Sequence, residues 1–145
     1  MAILILQVEY KMPKLVKPAE TEKVTVNLGF VDLGRIDLLV EEGFYTNRTD
    51  FIRTAIRAHL GTHAEAVGRI VDKRTLDIGL RDFSRADLEA ARDAGERLHI
   101  KVVGLARLSD DIPVALARET IGSITVLGAL QARSELRAAL SDRIT

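Results

Sequence analysis

Between Lys23 and Leu60 the chain reads KVTVNLGFVDLGRIDLLVEEGFYTNRTDFIRTAIRAHL. It opens on a strict alternation, with Lys23, Thr25 and Asn27 polar and Val24, Val26 and Leu28 apolar. Successive side chains on a strand point to opposite faces, so this strand has one apolar and one polar face. The spacing then predicts two amphipathic helices. The first runs from about Asp32 to Glu42 on Leu33, Ile36, Leu39 and Val40. The second runs from about Asn47 to Leu60 on Phe51, Ile52, Ala55, Ile56 and Leu60. Both follow the i, i+3, i+4, i+7 pattern. Gly43 stands where the first helix should stop, because glycine accepts the left-handed conformation common just past a helix end. Thr46 precedes the second helix as an N-cap, a role that Asn47 or Thr49 can share.

One strand and two short helices do not make a stable unit. A lone strand has no ladder, and about 40 residues bury too little surface. The simplest partner is the same strand of a second chain, giving an antiparallel ribbon with Lys23, Thr25 and Asn27 of each subunit on one exposed face. Those side chains can bond base edges, and a two-stranded ribbon fits the major groove.

The stretch resembles the ribbon-helix-helix DNA-binding proteins, the superfamily of the Arc, MetJ and CopG repressors. The resemblance covers residues 22–61 and rests on the KVTVNL strand, the VEEGFYTNRTDFIRTAI run and the spacing between them. It implies that Lys23, Thr25 and Asn27 read bases. It also implies that backbone amides at the start of the second helix, at Thr46, Asn47 and Arg48, hold a phosphate, which suits the unpaired N–H groups and partial positive charge there. A sequence-specific transcriptional regulator, and more finely a repressor, is the implied role. Gly34 departs from a good helix, costing up to about 1 kcal/mol relative to Ala. It marks either close packing or a first helix that starts late. The same residues have plainer readings. An alternating polar face is commonly just solvated. Thr46 and Asn47 serve as caps, and Arg48, Arg53 and Arg57 as exposed helix charges.

The 145 residues suffice for one medium domain or two small ones. Aromatic residues are only 4% of the chain and Trp is absent, so the core must be aliphatic. The net charge is zero, which counts against a strongly basic nucleic-acid footprint unless a dimer gathers its cations on one face. Absence of cysteine excludes disulfides and thiolate metal sites and fits a cytoplasmic protein. No apolar run approaches the roughly 20 residues of a membrane span. Ala2 to Leu6 lacks a positive leader and is too short for a signal peptide.

Residues 2–10, AILILQVEY, read as a strand. The following KMPKLVKP reads as an extended arm, either a solubilising linker or a track along the phosphates. Gly61-Thr62 ends the second helix or bends it, and residues 63–73 continue as helix. His59 and His63 have a spacing that can hold a metal, but with no cysteine and only His99 besides, the remaining ligands are missing. No metal or other cofactor is expected.

From residue 76 a repeat emerges. Ile100-Lys101-Val102-Val103-Gly104 matches Ile124-Thr125-Val126-Leu127-Gly128 after 24 residues. Leu76-Asp77-Ile78-Gly79-Leu80 lies another 24 earlier, its glycine one place early. Each unit reads as strand, turn and helix, with Ser84 and Asp87 forming a capping box, Asp111 before Pro113, and Ser134 opening the last helix. Stacked units bury what one unit cannot. Parallel strands with helices on one side follow, as a small solenoid or an ordinary small α/β domain. Its open edges invite pairing, and the N-terminal strand is a candidate cover for one of them.

No phosphate loop, paired catalytic acids or supported Ser–His–Asp pattern is present, so no enzyme is expected. The chain is thus expected to be α/β (α+β). It divides into a strand and arm at 1–21, a ribbon-helix-helix module at 22–61, a helical connector at 62–75 and an α/β oligomerisation or sensing domain at 76–145. Its partners are a second copy and double-stranded DNA. The rival reading is an assembly protein that keeps the dimer only as a device for building higher oligomers or filaments.

Overall fold

The computed structural model describes residues 20–145. The strand expected over 2–10 and the Lys/Pro arm lie outside the described residues. Helices α1 (Phe30–Glu41), α2 (Arg48–Thr62) and α3 (Ala64–Arg74) come first. Three strands then alternate with three helices: β1 (Asp77–Phe83), α4 (Arg85–Asp93), β2 (Leu98–Leu108), α5 (Val114–Thr120), β3 (Ile121–Gln131) and α6 (Ser134–Ala139). A 3₁₀ turn, Ser141–Arg143, ends the described structure. The chain is a mixed α/β protein, as its pattern predicts.

Helix α1 starts two residues ahead of the expected Asp32, so Gly34 does not mark a late start. A Cβ at Gly34 would meet nothing within 4 Å, so no packing among the described residues demands a glycine there. The helix stops as its sequence predicts. Gly43 has φ +84°, its N–H donates to the Val40 carbonyl at 3.1 Å, and Phe44 N–H donates to Leu39 at 2.9 Å. That pair of bonds is the Schellman motif. Helix α2 runs through Gly61, and the break falls at His63, which ends α2 and begins α3. His59 and His63 meet edge to face, 5.1 Å between ring centroids.

The three strands form a parallel sheet in the order β1-β2-β3. Its register realises the repeat: Ile100 pairs with Ile124, Val102 with Val126, and Gly104 with Gly128. The early glycine is also in register, since Gly79 pairs with Gly104, one residue more than the 24-residue step. Gly79, Gly104 and Gly128 have φ between +123° and +136°. A Cβ on Gly104 or Gly128 would overlap the carbonyl oxygen of the glycine on the preceding strand. Only glycine fits this row.

Helices α4, α5 and α6 cover one face of the sheet. Leu88, Leu116, Ala117, Leu136 and Leu140 pack with Ile100, Val102, Ala106, Leu108, Ile121 and Ile124. The predicted capping box opens α4, with Asp87 N–H donating to Ser84 Oγ at 3.1 Å and Ser84 N–H to Asp87 Oδ2 at 2.8 Å. Those bonds, backbone first, hold the Asp87 carboxyl below the usual carboxylate range. Ser134 is the first residue of α6, but no side chain caps that helix.

Neighbouring units are also stapled by polar side chains about one repeat apart. His99 Nδ1 lies 2.8 Å from Ser123 Oγ, and Arg107 Nε donates to Gln131 at 3.2 Å. Arg133 donates to the carbonyls of Asp110 and Ile112, at 2.5 and 2.8 Å, while Arg143 donates to those of Arg118 and Ile121. The opposite face of the sheet carries Ile78, Val103 and Leu127 in one row and Leu80, Leu105 and Ala129 in the next.

Candidate nucleic-acid interface

Residues 21–29 are neither helical nor paired into a sheet within the described chain. Gly29, the residue that caps α1, is extended at φ −63° and ψ 148°. Lys23, Thr25 and Asn27 are exposed, each free of hydrogen bonds and ion pairs among the described residues. The intervening apolar side chains are exposed as well, Val24 at 80%, Val26 at 70% and Leu28 at 43%. An apolar row this exposed is an unfinished core rather than a finished surface.

The two helices behind it repeat the point. Ile36 is the one buried residue of α1, and α2 buries none. Phe30, Val31, Leu38, Phe44, Ile52, Ile56 and Leu60 are all exposed. Intrachain packing is thin. Tyr45 and Phe51 meet edge to face at 5.0 Å. Arg48 grips Asp37 with two parallel bonds of 2.7 Å, Nε to Oδ1 and Nη2 to Oδ2, tying the start of α2 to the middle of α1. The hydrogen bond from Arg48 draws the Asp37 carboxyl down, and Asp37 in turn raises the Arg48 guanidinium. Both side chains are about half exposed, so solvent screens the pair, which serves geometry more than stability.

The start of α2 differs in detail from the sequence reading. Asn47, not Thr46, is the N-cap, and its side chain accepts the Asp50 N–H at 2.8 Å. Thr46 sits one residue outside, where its N–H and its hydroxyl both donate to Asp50 Oδ2, at 3.0 and 3.2 Å. The first-turn N–H groups of Arg48 and Thr49 have no acceptor among the described residues. They leave an open donor pair at the helix N-terminus, where an anion is favoured.

Sequence reasoning missed Asp37 and Asp50. Asp50 had a signal, since Asn47-x-x-Asp50 has the capping-box spacing. Asp37 had none, because its partner lies 11 residues away across a turn.

The electrostatics of this half are not basic. Residues 20–62 hold seven acidic against five basic side chains, and Lys11, Lys14 and Lys17 precede them. Arg53 and Arg57 are exposed on α2. Among the described residues, no group of three or more His, Cys, Asp or Glu side chains is placed to hold a metal. No described helix is long and apolar enough to cross a membrane.

A family model described as the Ribbon-Helix-Helix transcriptional regulator family matches residues 19–137, from ahead of the extended segment into α6. No curated protein and no solved structure matches the chain.

Proposed function

Because this chain belongs to the ribbon-helix-helix transcriptional regulator family, we propose that it acts in the cytoplasm as a dimeric, sequence-specific DNA-binding repressor. Residues 22–61 are the DNA-binding module and residues 76–145 an oligomerisation or sensing domain, joined by the helix between them. The exposed row Val24, Val26 and Leu28 carries this reading, because it needs a partner of like shape and a second copy supplies one. Two such segments pair antiparallel and bury the apolar rows against both pairs of helices. That leaves Lys23, Thr25 and Asn27 of each copy facing outward, on a ribbon that enters the major groove.

Each of those residues has a chemical role. Asn27 bonds a base edge through its amide, which both donates and accepts. Lys23 donates to guanine acceptors, and Thr25 offers a hydroxyl and a methyl. At the groove's edge Thr46, Asn47 and Arg48 bring the start of α2 to a phosphate. The unpaired amides of Arg48 and Thr49 are the donors, and Asn47 fixes the turn that aims them. Asp50 is acidic and close by, so phosphate binding here depends on amide geometry rather than net charge. The lysines of the arm supply the missing positive charge, each steepening the salt dependence by about one unit of slope.

The test is selection by the intact protein from a random duplex pool, at low and at near-physiological salt. An enriched palindrome or direct repeat supports the proposal and gives the half-site spacing. Asn27→Ala should then lose about 1–3 kcal/mol of specific binding while the dimer persists. Recovery only at low salt with no motif reduces the protein to a non-specific binder. No recovery at either salt rejects DNA binding and leaves an assembly role.

A further inference from the structure

Among the described residues, the sheet of residues 77–131 has helices on one face only. Its other face carries Ile78, Leu80, Val103, Leu105, Leu127 and Ala129. Ile78 is 61% exposed and Leu127 49%, although both lie within strands. Parallel sheets occur almost only with both faces covered. Leu80 is exposed too, while Val103 and Ala129 are half-buried and Leu105 is buried, so the exposed apolar side chains lie on the two outer strands, where they mark an interaction surface. A groove of about 700 Å³ on this face is lined by the side-chain-free row Gly79, Gly104 and Gly128. Glycines there let another backbone approach closely.

The position of the described N-terminus identifies the occupant. Glu20, Thr21 and Glu22 line this same groove. Glu20 Oε1 is 3.2 Å from Arg107 Nη2, and Arg107 is also bonded to Gln131 and paired with Asp82 at 3.5 Å. Glu20, the first described residue, therefore stands at the groove's rim. The sequence ahead of it holds the apolar stretch ILILQVEY at 3–10, joined by residues 11–19. Eight extended residues reach about 26 Å, against about 10 Å between the outer strands of a three-stranded sheet. A short tether holds its segment at an effective concentration of about millimolar, far above a free second copy.

We propose that residues 3–10 of the same chain lie across this face and shield Ile78, Leu80 and Leu127. The segment thus acts as the second layer of the α/β half rather than as an edge strand or a free tail. The N-terminal stretch and the sheet then form one folding unit, with the ribbon-helix-helix segment inserted between its parts.

The chain has no cysteine, so a single introduced thiol reports its own surroundings. In the full chain, Leu127→Cys is compared with Glu96→Cys, an exposed control, for its rate of alkylation. The expected result is labelling at least about tenfold slower at Leu127→Cys, because a covered thiol reacts only through local opening. That rate should be independent of protein concentration, and adding Ile5→Asp with Leu6→Asp should erase the difference. Equal rates in the unaltered background overturn the proposal. So does slow labelling that the N-terminal substitutions leave unchanged, and a rate that rises on dilution assigns the face to a second copy instead. Should the double variant fail to fold, disulfide mapping decides. Leu127→Cys is combined in turn with Ile3→Cys, Ile5→Cys and Val8→Cys. An intrachain disulfide in at least one pair supports the cover. Only interchain disulfides, or none, reject it.

Discussion

The two halves of this molecule solve burial in opposite ways. Of the sixteen buried apolar residues among those described, fifteen lie from Leu76 onward and Ile36 alone lies before it. The C-terminal half closes a core from its own strands and helices. The ribbon-helix-helix half leaves its apolar residues exposed, and in the proposed dimer a second copy completes their core. The contrast shows that helix formation and stability are separable. Helices α1 and α2 are capped, regular and aromatic-pinned, yet among the described residues they have almost nothing to pack against. Most helical stability in proteins comes from packing an amphipathic face. The N-terminal half should therefore answer to protein concentration, and the C-terminal half should not.

The largest test of that contrast is Val26→Lys. Burying an ammonium without a partner costs several kcal/mol. Dimerisation, followed by sedimentation, should weaken by at least about two orders of magnitude. The added positive charge means that any loss of DNA binding traces to the lost dimer rather than to repulsion. A dimer that survives this change would place the interface elsewhere.

Leu136→Ala attacks the other half. Leu136 is fully buried, so the variant should lose about 2–5 kcal/mol in urea unfolding, equally at every protein concentration. A concentration-dependent loss would mean that the sheet also depends on a partner. Asn47→Ala removes the N-cap of α2 and should cost about 0.5–2 kcal/mol. That loss should appear in the concentration-dependent transition alone.

The smallest effect belongs to Asp37→Asn, compared with the unaltered chain by thermal melting across pH. Arg48 depresses the Asp37 pKa in the folded state, so its contribution is complete above the unfolded carboxylate range and fades as pH falls through the lower folded value. The melting difference between the two proteins should be constant near neutral pH and shrink under acid. A difference that grows under acid would mean the pair does not act as its geometry implies.

What the sequence made legible was local or periodic. Gly43 and the Ser84–Asp87 box announce helix ends because the responsible groups sit within a few residues of each other. The sheet register was readable because like residues recur at a fixed step, and even the misplaced Gly79 finds its partner Gly104. The Asp37–Arg48 clasp and the Arg133 and Arg143 staples were not readable, because their acceptors are set by how elements meet. Backbone carbonyls, which Arg133 and Arg143 use, leave no mark in a sequence at all. At the candidate interface, alternation predicts a two-faced strand over residues 23–28, and within the described chain that segment is unpaired with both sets of side chains exposed. The identity of the cap at Asn47 depended on where the helix starts within two residues, and propensity does not resolve that.

One small feature limits how copies of this chain can associate. Ile144 makes a parallel bridge to Ile124, and Thr145 N–H donates to the Ile124 carbonyl at 2.9 Å. The outer edge of β3 is thereby occupied at that point, while among the described residues β1 has a neighbour on one side only. A head-to-tail fibre requires the β1 edge of each copy to add to the β3 edge of the next, and residues 144–145 stand in its path. Contact between two β1 edges would instead be isologous, each copy offering the same edge to the other. Residues 144–145 thus set a direction on the sheet's growth, since the β3 edge is guarded where the β1 edge is not.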